Sequence, residues 1–136
     1  GDALELGRDH AAQALAIKAS GRKAALISGG EATVMVNNRD GRGGRCTAYL
    51  LACALALNGE PDICGFAADS DGIDGSEDNA GAFLWSGILD LMDGADQAGQ
   101  LLEQDNSYLA FERAGALLMT GPSGTNVNDL RVILVG

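Results

Sequence analysis

The segment Arg45–Leu57, RCTAYLLACALAL, constrains the fold more than any other stretch of the chain. It reads as a helix that is apolar nearly all round, and such a helix has to be covered on several sides. Its most apolar part, Tyr49–Leu57, falls well short of the roughly 20 residues that a bilayer crossing needs. The segment is therefore a buried helix inside a layered domain. With 136 residues the chain is long enough for one such domain and not for two.

The flanking segments supply the other layers. Asp9–Ser20 reads as an amphipathic helix, with Ala12, Leu15, Ala16 and Ala19 at helical spacing and Gly21 closing it. Lys23–Ser28 is a short apolar strand, and Glu31–Val36 alternates and is rich in β-branched residues. The Gly29-Gly30 turn between them predicts a hairpin. Ile63–Ala68, Ala82–Trp85, Leu117–Met119 and Leu130–Val135 read as further strands. Ser86 is placed to cap a short helix ending at Met92. Ala95–Gln104 and Ser107–Ala114 read as helices, with Asn106 as the cap between them. Helices alternating with strands give the α/β class, and the hairpin makes the sheet mixed. The expected architecture is a three-layer α/β/α domain with a mixed β-sheet.

Composition narrows the function classes. Apolar residues make up 46% and aromatics only 4%, while glycine reaches 20 residues, so Ala, Leu, Ile and Val build the core and glycine builds the loops. Nineteen acidic residues against nine basic ones give a net charge of −10. That charge excludes nonspecific binding to nucleic acid or to an anionic membrane. Cys46, Cys53 and Cys64 are odd in number and form no CxxC pair, which excludes a disulfide scaffold and a zinc–thiolate cluster. They read as reduced packing residues of a cytoplasmic protein. His10 is the only histidine and reads as a surface or capping residue, so a Ser/His/Asp triad is not expected.

Chemistry concentrates in polar loops at strand ends, where α/β sheets bind ligands. Gly41-Arg42-Gly43-Gly44-Arg45 runs directly into the apolar helix. A helix N-terminus carries partial positive charge, so arginines there are locally unfavourable. A phosphate or carboxylate ligand resolves this, and so does pairing with Glu31 or a loop aspartate. Asp69-Ser70-Asp71-Gly72-Ile73-Asp74-Gly75 clusters carboxylates. It reads either as a solvated acidic turn or as a site that handles Mg²⁺ or accepts a proton from a hydroxyl. Its residue pattern fails as an EF-hand. Thr120–Asp129, TGPSGTNVND, is either a tight connection between strands or a wrap for a phosphate. No P-loop and no G-x-G-x-x-G fingerprint occurs.

Ser28-Gly29-Gly30-Glu31-Ala32-Thr33-Val34, Gly41-Arg42-Gly43-Gly44-Arg45, Asp71-Gly72-Ile73-Asp74-Gly75 and Thr120–Leu130 occur in an order that resembles the MOFRL domain. That domain is the C-terminal part of class II glycerate kinases, many relatives of which are called hydroxypyruvate reductase and belong to tartrate degradation. The resemblance runs from about residue 24 to 135. It implies that residues 1–23 form the helix entering from an N-terminal domain and that 24–136 are the MOFRL-like domain. The chain is then expected to be a fragment, inactive alone.

The resemblance also implies roles. Arg42 and Arg45 would bind phosphate or the glycerate carboxylate, with Gly43 and Gly44 beside them. Glu31 would orient an arginine or contact substrate. Asp71 and Asp74 would serve a metal or a substrate hydroxyl, with Asp69 and Asp71 as metal ligands. Asn126, Asn128 and Asp129 would lie near the cleft. Mg²⁺ and ATP, shared with the N-terminal domain, are the implied cofactors, and glycerate or a related small hydroxy acid is the implied substrate. A homodimer stays open as the assembly. The alternatives are an NAD(P)H-dependent hydroxypyruvate reductase and a noncatalytic module of the same fold. Two departures stand out: Cys46-Thr47-Ala48 replaces the family's Asn-Gln-Glu, and Ser70-Asp71 replaces Thr-Asp.

Overall fold

The computed structural model describes residues 2–29, 44–69, 81–118 and 129–136. Helix α1 (Ala3–Ala19) is followed by β1 (Ala24–Gly29), α2 (Arg45–Leu57), β2 (Ile63–Asp69) and β3 (Gly81–Leu84). Then come α3 (Ile88–Leu91), α4 (Ala95–Glu103), α5 (Ser107–Ala114), β4 (Leu117–Leu118) and β5 (Asp129–Val135). The strands form one sheet in the order β1-β5-β2-β3-β4, and every ladder among the described residues is antiparallel. The α/β class holds. The expected strand Glu31–Val36, and with it the hairpin, lies outside the described residues; β1 pairs with β5, the last strand.

Helix α2 is the centre of the core. Tyr49, Leu50, Leu51 and Cys53 are essentially inaccessible, as the all-round apolar pattern requires. It ends at Asn58, whose left-handed backbone lets its N–H reach the Ala54 carbonyl. Helix α1 starts six residues earlier than the amphipathic reading, because Asp2 caps it by accepting from the Leu4 N–H at 2.9 Å. It meets α2 through Ala3, Gly7, Ala11 and Ala14, all buried. Gly7 permits a close approach, since a Cβ there would lie 2.3 Å from the Tyr49 carbonyl oxygen.

Helix α3 begins one residue later than expected. Gly87, not Ser86, occupies its N-cap position, because the Ile88 N–H closes a turn onto the Trp85 carbonyl. Asn106 does sit at the N-cap of α5, though its side chain makes no capping bond.

One face of the sheet carries Ile63, Ala67, Ala82, Leu84, Ile133 and Val135, all buried in the same core as α2. All five described helices lie on this side: α1 and α2 rest on the sheet, and α3, α4 and α5 pack against α2. Cys46 and Cys53 are buried packing residues as expected, whereas Cys64 is exposed on the opposite face because strand alternation turns it away from the helices.

Candidate functional site

The register brings the polar loops to one edge. Gly29, Leu130, Ala68, Gly81 and Leu118 are successive partners across the sheet, and Asp69 faces Asp129 one step beyond. The segments 30–43, 70–80 and 119–128 are therefore anchored at the same end of the sheet. These segments contain Glu31, Arg42, Gly43, Asp71, Asp74, Asn126 and Asn128, which lie outside the described residues. Of the expected site residues, Gly44, Arg45 and Asp69 are described, with Asp129 located by its backbone.

Arg45 and Asp69 meet. The Arg45 Nη2 donates to Asp69 Oδ2 at 2.5 Å, with the aspartate side chain 3% exposed and the arginine side chain 27% exposed. No acidic residue stands in the first turn of α2. The carboxylate that offsets Arg45 against the helix dipole comes instead from the end of β2. Of the two resolutions the sequence allowed, pairing with a loop aspartate is thus realised by Asp69. The same bond bears on the expected metal role of Asp69. One of its oxygens is committed to a guanidinium, and no group of three or more His, Cys, Asp or Glu among the described residues is arranged to hold a metal. Asp71, the other expected metal ligand, lies outside the described residues.

The start of α2 keeps a polar brace despite the Cys46-Thr47-Ala48 departure. Gly44 is its N-cap, and the Gly44 N–H donates to Thr47 Oγ1 at 3.1 Å. The Thr47 hydroxyl also meets Ser107 Oγ at 2.8 Å, which ties the loop end of α2 to α5. Thr47 is fully buried, so this hydroxyl pair replaces water for both groups.

A buried cation lies beside this corner, and sequence reasoning missed it. Arg131, 4% exposed, donates from Nε to Ser28 Oγ at 3.0 Å and from Nη2 to the Gly29 carbonyl at 3.0 Å. It thereby fixes the point where β1 enters segment 30–43. Its guanidinium carbon sits 5.6 Å from the centre of the Tyr49 ring. Tyr49 in turn meets His10 Nδ1 through its hydroxyl at 2.7 Å, with the two rings edge-on. His10 is half-buried and joins a chain, His10–Tyr49–Arg131, instead of standing free at the surface. Burial, and next the Arg131 charge, hold the imidazole below its usual pKa of 6.5. Burial likewise pushes the Tyr49 phenol well up. The available signal was parity: Arg131 shares the face of Ile133 and Val135 in the otherwise apolar run Leu130–Val135, where a buried charge is unusual.

The described strand ends from which the three polar segments leave lie at one end of an α/β sheet, together with the N-terminus of α2 and Arg45. The chain belongs to the MOFRL family, whose model matches residues 24–129. It is 43% identical, over its whole length, to an Agrobacterium vitis protein that carries the provisional name hydroxypyruvate reductase, and it spans 32% of that protein. It is 42% identical over 84% of its length to the D-glycerate 2-kinase of Thermotoga maritima, of which it spans 27%. A crystal structure of a Thermotoga maritima glycerate kinase superposes on 99% of this chain and 34% of that one, with TM-score 0.92 and 38% identity. The chain thus spans about a third of the length of the relatives it matches. Among the described residues, no helix is long and apolar enough to cross a membrane.

Proposed function

We propose that this chain is the C-terminal, cleft-forming domain of an ATP-dependent glycerate kinase that makes 2-phosphoglycerate. The observation that carries the reading is the placement of Arg45. It stands in the first turn of α2, is braced by buried Asp69, and keeps about a quarter of its side chain exposed at the edge where all the polar loops attach. An arginine held in this way presents fixed donors to a carboxylate or to a phosphoryl group gaining charge in transfer. Arg42, Gly43 and Gly44 extend the same anion-binding loop. Glu31, Asp71, Asp74, Asn126 and Asn128 lie on the neighbouring segments and serve the glycerate hydroxyls and the metal. Mg²⁺ when bound would neutralise phosphate charge, and on this reading Asp69 and Asp71 would help to hold it together with ATP and the N-terminal part. A cytoplasmic setting and a role in tartrate degradation belong to the same proposal.

The reductase name of the Agrobacterium relative is the one observation for the other reading. Within these 136 residues it lacks a dinucleotide fingerprint, and the single histidine is bonded to Tyr49. The test joins this chain to the N-terminal two thirds of the Agrobacterium relative. Glycerate- and ATP-dependent ADP formation, with a product that enolase accepts, is expected. Hydroxypyruvate-dependent NADH oxidation without ADP formation would overturn the proposal.

A further inference from the structure

Among the described residues, the face of the sheet turned away from the helices is apolar. Ile27, Val132, Phe66 and Phe83 form one row across four strands, and the two phenylalanine rings lie 6.5 Å apart. Ile27 is 69% exposed, Leu134 45%, and Phe83 and Leu130 42% each. Alternation directs no charged or hydrogen-bonding polar side chain to this face in any of the five strands, although 21% of the chain is charged. An antiparallel sheet with one solvated face places polar residues there. At the end remote from the loops the face opens into a groove of about 400 Å³ lined by Cys64, Trp85 and Leu134 among others.

We infer that this face seats a further layer of structure supplied by a longer polypeptide outside these 136 residues. Three observations select that occupant over a second copy of the chain. From strand spacing and rise, the face measures on the order of 400 Å², or about 800 Å² counted on both sides. That is roughly half of the ~1,600 Å² of a standard stable complex and falls within the ~600–1,500 Å² of contacts between domains of one chain. A second copy would also bring a net charge of −10 against −10 across an interface with no charge to compensate. The relatives carry about three times the length of this chain, which supplies polypeptide for the layer. The inference does not depend on the catalytic reading.

Cys64 reports on this face, since it is exposed there while Cys46 and Cys53 are buried. The experiment measures thiol labelling of Cys64 in the 136-residue chain, alone and with the N-terminal two thirds of the Agrobacterium vitis relative as the probe. The expected result is a slowing of at least tenfold on addition of the probe. Ile27→Lys, and separately Phe83→Lys, should abolish the slowing while leaving circular dichroism and melting unchanged. Ile27 is the safer of the two for folding because of its exposure. Binding of the probe without protection, or no protection at all, would overturn the inference. Protection in the chain alone, together with elution as a dimer, would assign the face to a second copy and overturn it equally.

Discussion

Truncating Arg45 to alanine is expected to destabilise the domain by about 2–3 kcal/mol. Removing one partner of a fully buried ion pair costs about 3–5 kcal/mol, because the other charge is left desolvated. Here Asp69 is buried, but Arg45 is 27% exposed and Asp69 has further polar contacts, so the cost falls below that range. An exposed surface pair would contribute only about 0–1 kcal/mol. Urea denaturation followed by circular dichroism separates the two cases, provided the slope of unfolding free energy stays constant. At this chain length the loss corresponds to a fall in Tm of very roughly 6–10 °C. Asp69→Asn keeps an acceptor and removes the charge, and should cost about 1 kcal/mol. In the double variant Arg45→Ala/Asp69→Ala the two losses should not add, with a coupling of at least about 1 kcal/mol. A loss below about 0.5 kcal/mol for Arg45→Ala, or strict additivity, would refute the claim that Asp69 braces Arg45.

Other consequences follow from the same packing. The folded state holds the His10 pKa below the unfolded value of 6.5, so its contribution to stability is complete above 6.5 and is lost as pH falls below that value. The urea midpoint should drop between pH 7.5 and 5.5, and His10→Gln should flatten that drop; an unchanged slope would remove His10 from the account. Gly7→Ala should cost about 1–3 kcal/mol, because its Cβ would meet the Tyr49 carbonyl oxygen and force α1 off α2; a neutral melt would show that the two helices do not pack this closely. Cys53, whose burial pushes its thiol pKa up to about 12, should resist labelling under conditions where Cys64 reacts at once, as mass spectrometry of the labelled peptides would reveal.

Much of this was legible in the chain itself. The all-round apolar run of α2 set the centre of the core, and turn residues such as Asn58-Gly59 marked its end correctly. The start of α1 was not legible. Its buried stripe consists of Ala3, Gly7, Ala11 and Ala14, small residues that give a weak hydrophobic period, and Gly7 argues locally against a helix. The partner of β1 was also hidden, because turn signals describe neighbours in sequence, whereas Ala24 pairs with Val135. At the site, the helix-dipole argument correctly marked Arg45 as a residue in need of an anion. Only the sheet order could show that Asp69, 24 residues away, supplies one. Arg131 escaped because a single charge within Leu130–Val135 does not disturb a strand pattern, although its parity with Ile133 places it in the core.

The most direct test of the ligand-binding edge is an amide NMR titration of the 136-residue chain with Mg-ATP and with glycerate, with NADH as the control. The account expects shifts at Gly44, Arg45, Asp69, Gly81 and Leu130. Gly21, Gly59 and Gly136, at the opposite end of the sheet, should stay unmoved, and NADH should have no effect. Shifts confined to that opposite end, no shift at the loop edge, or the same response to NADH would contradict it.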